Sequence, residues 1–180
     1  MSLKQGLPAL AGPETRLLIL GSHPGDASLA RRQYYGHPRN LFWRLMETVL
    51  DETLEPLAYE VRIARLAARR VGLWDVIGRA RRQGSLDAAL REIDANDLVS
   101  FVSGLPRLEA VGFNGGASAR IGGAALAGEA DRLALIPLPS SSPAYAGLSF
   151  AAKAERWAAL RRFVGPQDAE AEATGPHQSY

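Results

Sequence analysis

The 180-residue chain is 47% hydrophobic and 22% charged, with 21 basic residues against 19 acidic ones and no cysteine. That composition suits one soluble domain burying roughly 70% of its unfolded surface, and it excludes a disordered or fibrous chain. Disulfides, thiolate nucleophiles and Cys-ligated zinc are excluded as well; with no HExxH present, His23, His37 and His177 are the remaining imidazole ligands, so no metal centre is expected.

No apolar run approaches the ~18 residues of a membrane helix. The beginning of the chain, with Lys4, Gly6 and Pro8, lacks the apolar stretch of a signal peptide, so a cytoplasmic protein without membrane contact is expected. Neither Lys4 nor Lys153 follows a glycine, which leaves no Walker phosphate loop, and the GxGxxG fingerprint is missing, so no nucleotide cofactor is expected. Residues 166–180 carry three acids, no base and little to bury, the composition of a flexible tail behind a single domain at 1–165. Without that tail the net charge is +5, which permits an anionic partner.

In chain order, apolar runs at Leu17–Leu20, Leu73–Ile77, Leu108–Phe113 and Leu133–Leu138 predict four buried strands. Helical pattern separates them. Asp26 is the expected N-cap of a short helix after the first strand; Leu41, Phe42, Leu45, Met46, Val49 and Leu50 keep helical spacing after Pro38. Residues 53–70 read as a helix with Arg62, Arg65, Arg69 and Arg70 on a solvated face. Ser85 and Asn96 are the next expected N-caps, residues 117–127 are helix-permissive, and Ser149 opens a last helix containing Trp157, Leu160 and Phe163. Strands alternating with helices predict an α/β fold, three-layer α/β/α, around a central four-stranded, mostly parallel sheet. Ligands of such sheets bind beyond the C-terminal strand ends. Four unusual segments fall there: GSHPGDAS at 21–28, Trp74-Asp75, Asn114-Gly115-Gly116, and PSSSP at 139–143.

Between residues 27 and 46 the chain holds Arg31, Arg32, Arg39 and Arg44 without a carboxylate, interleaved with Tyr34, Tyr35, Phe42 and Trp43. Arg neutralises phosphate and a ring offers a base a stacking face, a pairing that suits nucleic acid. Phe42 and Trp43 carry the apolar phase of a helix and belong to the core; Tyr34 and Tyr35 have no helical duty, which leaves a ligand-facing role open to one of them. Gly21, Pro24 and Gly25 make a tight turn whose N–H groups can meet an anion or a carbonyl, or can simply join strand to helix. The stiff loop at 138–147 offers three adjacent hydroxyls to phosphate, or is an ordinary serine-rich turn.

Taken together, LGSHPGDASLARRQYYGHPRNLFWRLM and LPSSSPAYA resemble motifs 1 and 2 of the uracil-DNA glycosylase superfamily, and most closely its hypoxanthine-DNA glycosylase branch. The likeness runs from about Arg16 to Phe163, and HPRNLFW also resembles the mismatch-specific uracil-DNA glycosylases. It implies a DNA glycosylase that flips a deaminated base, hypoxanthine or uracil, out of DNA and hydrolyses its N-glycosidic bond; Lys153 within the last helical pattern and Lys4 near the start of the chain are poorly placed for a Schiff base, so monofunctional action is expected. Where many members carry a catalytic Asn or Asp between the first glycine and the proline, this chain has His23. The hypoxanthine branch relies instead on the Asn of HPxN, here Asn40. On this reading Asn40 is catalytic; His23 either donates to the leaving base or is a structural imidazole. Tyr35 stacks on the base, Gly21, Ser22 and Asn114 read its edge, and Arg39, Ser140, Ser141, Ser142, Pro143 and Tyr145 contact DNA. Ser141 and Tyr145 stand where this branch commonly has Thr and Asn. The expected partner is DNA containing deaminated bases, engaged by a monomer. A small-molecule nucleoside hydrolase or nucleotide-binding enzyme on the same fold, and a noncatalytic DNA-binding module, are the alternatives.

Overall fold

The computed structural model describes residues 3–82 and 86–167. Four parallel strands form its central sheet in the order β3-β2-β6-β7: β2 (Leu17–Gly21), β3 (Val71–Asp75), β6 (Ala110–Asn114) and β7 (Ala134–Leu138). All four expected strands exist. The second ends earlier than its apolar run, because Ile77 begins β4 (Ile77–Arg81) in a separate sheet. The third starts two residues late, where Leu108 closes a turn on the carbonyl of Leu105 and is buried without being extended.

Side chains alternate across a strand, so the sheet feeds two cores. Leu17, Ile19, Val71, Leu73 and Ala110 face one way and pack under α2 (Phe42–Leu50), α3 (Tyr59–Ala68) and α6 (Phe150–Trp157). Leu18, Leu20, Val111 and Phe113 face the other, against α4 (Leu98–Ser103) and the apolar residues of β4. On that second side Gly122 of α5 (Gly116–Ala125) lies so close that a Cβ would stand 2.7 Å from the Phe113 ring. These are the three expected layers. A second sheet, β1-β4-β5, with β1 at Leu3–Gln5 and β5 at Arg91–Ala95, is antiparallel and was not foreseen.

Several local expectations change. Asp26 is the first residue of α1 (Asp26–Arg31) and pairs with Lys4 instead of capping; Asp97 caps α4 in place of Asn96, its side chain accepting from Ser100 N. Ser149 caps α6 as expected, accepting from Ala152 N. Ser85 and residues 168–180, which include most of the expected tail and His177, lie outside the described residues. The 53–70 helix starts only at Tyr59, and Arg69 is not solvated: it pairs with the buried Glu52 carboxylate and donates to the carbonyls of Leu50 and Gly165. Among the described residues no helix is long and apolar enough to cross a membrane.

Candidate active site

At the C-terminal edge of the sheet, register and alternation place Asp75, Gly21 and Asn114 in one row. Gly21 pairs with Asp75, Leu20 with Phe113, and Asn114 with Leu138. All three face the layer that holds α2. The row floors a cleft of about 240 Å³, roughly eight water volumes, with room for one heterocycle. Its wall includes Gly21, Ser22, His23, Tyr35, Asn40, Asn114, Ser140, Ser141, Ser142, Pro143 and Tyr145, eleven of the twelve expected site residues. Arg39 alone is outside the wall, exposed beside it, and no acid among the described residues pairs with its side chain.

Tyr35 stacks on Phe42 with ring centroids 3.8 Å apart and planes 17° from parallel, and Phe42 is anchored in the core as the first residue of α2. Tyr35 holds φ at 54°, a left-handed conformation that a non-glycine residue adopts at some cost and that tends to persist at functional sites. Its neighbour Tyr34 is core: it is 4% exposed and donates to the carbonyl of Pro8 at 2.7 Å. Over Gly21 the two walls meet, since a Cβ there would lie 2.5 Å from Asp75 Oδ1 and 3.3 Å from the Tyr35 hydroxyl. Glycine is therefore required by close approach.

The polar groups differ in how far they are already committed. Asn114 Nδ2 donates to Ser141 Oγ and its Oδ1 accepts from Ser141 N, both at 2.9 Å. Ser141, 1% exposed, thus bridges strand end to loop, and its burial sets it apart from the partly exposed Ser140 and Ser142 as a contact for phosphate. Ser140 Oγ accepts from Ser142 N and Ser142 Oγ from Ala144 N, which leaves both hydroxyl protons to donate. Gly115, at φ 97°, lets the chain turn beneath this loop. Ser22 donates to Asp87 at 2.6 Å, so its hydroxyl does not read a base edge. Both ring nitrogens of His23 lie against main-chain carbonyls, of Pro24 at 3.2 Å and Lys4 at 3.3 Å. Burial and the Arg82 guanidinium hold this imidazole below its ordinary pKa. These contacts tie the ring to the main chain while the residue still lines the cleft.

Asn40 Oδ1 accepts from Phe42 N at 2.9 Å, opening α2; the acceptor must be oxygen, so the amide orientation is fixed and its N–H groups remain uncommitted. Arg44 does have an acid, Glu55 at 4.0 Å, and lies over the Phe150 ring; Arg31 donates to the carbonyl of Gly36. Lys153 is buried, and its ammonium donates to the carbonyls of Ser140 and Tyr145, both at 2.7 Å, with burial lowering its pKa. It staples the serine loop from behind.

Asp75 is the residue that the sequence reading placed at a strand end without assigning it work. It is 4% exposed, and its Oδ2 has no hydrogen-bond partner among the described residues. Burial first, then the nearby Asp87 carboxylate, pushes its pKa up to about 7, against the pull of Arg82. Burial, then Asp75, likewise pushes the Tyr35 phenol well up, while Asn114 pulls the other way. A charged residue closing an apolar strand beside a glycine was the available signal. Asp87 and Arg82 gave none, since no sequence pattern brings them under the first loop. Among the described residues no three His, Asp or Glu stand together as metal ligands.

The profile of the uracil DNA glycosylase superfamily matches residues 8–161. A protein of Methanosarcina acetivorans named hypoxanthine DNA glycosylase is 41% identical over 113 residues, 63% of this chain and 72% of that protein. Its namesake in Methanosarcina barkeri is 40% identical over 112 residues, 62% of this chain and 71% of the relative. A solution NMR structure of a candidate uracil DNA glycosylase from Methanosarcina acetivorans superposes with a TM-score of 0.79 at 36% identity, covering 90% of this chain and 99% of that one. With its strand-end cleft and both motif loops on that cleft, the chain belongs to the uracil DNA glycosylase superfamily.

Proposed function

We infer that the protein is a monofunctional DNA glycosylase: it takes a deaminated base, hypoxanthine in the first place and uracil in the second, out of DNA and hydrolyses the N-glycosidic bond. The observation that carries this is the meeting of Asn40, the Tyr35 ring and Asn114 around a cleft with room for one base. A base stacked in a duplex is out of reach, so it must be extruded at a cost of ~a few kcal/mol, least for a mispaired base. Tyr35, backed by Phe42, offers a rigid stacking surface. Asn114, locked by Ser141, presents its remaining amide N–H at a fixed place. Ser140 and Ser142 donate to phosphate, and Arg39 adds charge beside the cleft.

As the bond breaks, its electron pair leaves on the base and C1′ becomes cationic. Water adds its oxygen to C1′, and the proton it releases ends on the base. Asn40 holds that water through its amide. It is not a strong base, so its contribution is placement. A lyase step would need a free amine for a Schiff base. Lys153 is committed to two carbonyls and Lys4 to Asp26, which supports the monofunctional reading. The hypoxanthine preference rests on the names of the two Methanosarcina relatives. The enzyme acts on DNA as a monomer in the cytoplasm.

Duplexes carrying one deoxyinosine or one deoxyuridine test the reading. Alkali-labile abasic sites are expected at both, faster at deoxyinosine. Equal activity on free deoxyinosine would favour a nucleoside hydrolase, and damage-specific binding without base release would favour a noncatalytic module.

A further inference from the structure

Of the polar groups at the strand ends, Ser22 is committed to Asp87, and Asn114 has spent its carbonyl and one N–H on Ser141. Three buried side-chain atoms have no hydrogen-bond partner among the described residues, Arg82 Nε, Tyr35 Oη and Asp75 Oδ2, and the last two belong to side chains that converge over the missing Cβ of Gly21. Buried polar atoms without partners are rare and call for an explanation. A deaminated base, which carries a C=O beside an N–H, brings Asp75 Oδ2 the partner it lacks.

We propose that Asp75 is a further catalytic residue of this pocket, its carboxyl held as the neutral acid and donating a hydrogen bond to the base as the bond to the sugar breaks. The base gains negative charge in that step, so a neutral donor stabilises it, whereas an ionised carboxylate at the same place repels it. No proton need be transferred: the electron pair of the broken bond stays on the base, and the acid shares its hydrogen with the site where that charge collects. The inference rests on the glycosylase reading.

The groups facing Asp75 are known from each side. Asp87, on the short helical turn Asp87–Ala89, opposes its ionisation, and Arg82, at the end of β4, favours it. Tyr35 lies above, from the loop before α2, and it stays neutral throughout the physiological range. His23, beside Arg82 in the first loop, is pushed down and so titrates on the acid side of its ordinary value. His37 lies elsewhere on the cleft wall, its Nδ1 accepting from Arg39 N. With its acid form persisting to about pH 7, Asp75 is active below neutrality and inhibitory above it.

The test is single-turnover release of hypoxanthine from a deoxyinosine duplex, followed across neutrality. The wild type is expected to lose activity about tenfold per pH unit on the alkaline side. Asp75→Asn, whose amide is neutral and can still donate, should abolish that limb and exceed the wild type at alkaline pH. Asp87→Asn removes the charge that adds to burial in raising the Asp75 pKa and should move the limb to lower pH, which keeps the idea testable if Asp75→Asn folds poorly. The limb should persist in His37→Gln. A pH-independent wild type, or an unchanged limb in Asp75→Asn, overturns the proposal while leaving the glycosylase reading intact. No base release from either duplex at any pH overturns both.

Discussion

Replacing Asn40 separates the helix-opening bond that the structure shows from the water placement proposed for the same amide. Its Oδ1 accepts from Phe42 N at 2.9 Å at the start of α2, and Asn40 lines the cleft whose Tyr35 ring is backed by that same Phe42. Leu41 is the N-cap of α2, and loss of the Asn40 bond just before it should cost no more than loss of a side-chain cap, about 1 kcal/mol within a range of ~0.5–2. In a domain of this size that lowers the melting temperature by roughly 2–4 °C per kcal/mol. A protein stable by ~5–15 kcal/mol remains folded after that loss, so the lost bond cannot account for a large fall in rate. Water placement in the transition state can: a ~100-fold slower release corresponds to ~2.7 kcal/mol of barrier. Asn40→Ala is therefore expected to melt a few degrees lower, to bind damaged DNA almost normally, and to release hypoxanthine ~100-fold more slowly under enzyme excess. Asn40→Asp keeps an oxygen for Phe42 N and should recover the melting temperature but only part of the rate. Near-wild-type release by Asn40→Ala, or a rate that recovers in step with stability across both variants, would refute the assignment.

Tyr35→Ala should weaken productive base capture by ~1–3 kcal/mol, read as the enzyme concentration for half-maximal single-turnover rate, while Tyr35→Phe, which keeps the ring against Phe42, should retain most of it. For Asp75 the folded pKa lies above its ordinary value, so between about pH 4 and pH 7 the folded state binds the extra proton and stability falls as pH rises through that window. Asp75→Asn lacks the effect; its melting temperature should gain on the wild type with rising pH, by an amount equivalent to at most ~4 kcal/mol, and an unchanging difference would mean the carboxyl is not held protonated. Asn114→Ala orphans Ser141 N and should cost ~1–3 kcal/mol in thermal denaturation along with base release, a loss Ser141→Ala should only partly reproduce. DNA affinity should fall with salt at a log–log slope of roughly −3 to −4.5, for ~3–5 phosphates neutralised; salt-independent binding would remove the electrostatic argument.

The central sheet was legible because its inner strands β2 and β6 are buried on both faces, and that writes unbroken apolar runs such as Leu17–Leu20 into the chain. The second sheet was not. Arg91–Ala95 is exposed throughout and alternates no apolar face, while Ile77–Arg81 carries two arginines and follows Asp75 after a single residue. The position of the site was legible from topology, and its motif residues from likeness to a family. What no pattern revealed was commitment. Ser141 and Ser142 look alike in sequence, yet one is sealed against Asn114 and the other keeps a hydroxyl proton to give. Asn40 read as either helix-opening residue or catalyst; its Oδ1 accepts from Phe42 N at the start of α2, and the catalytic use of its N–H groups is a proposal.

The unforeseen sheet explains how the first loop holds its shape. β1 and β5 flank β4, whose end delivers Arg82 beneath the turn at 21–25. Its fully buried guanidinium donates to the carbonyls of Pro24 and His23 and faces Asp87 at 3.7 Å, while Asp87 in turn accepts from Ser22. A buried cation is tolerable only when paired and hydrogen-bonded, and here the carbonyls of the loop supply the bonds. The same charge acts on both titrating neighbours, pulling His23 down and easing Asp75 against the opposite push of Asp87. One arginine therefore binds the loop carbonyls, adds to the burial that lowers the His23 pKa and works against the burial and Asp87 charge that raise that of Asp75. Removing it would disturb loop geometry and floor charge together, whereas changing Asp87 alone alters the charge and leaves the Arg82 contacts to the loop carbonyls in place.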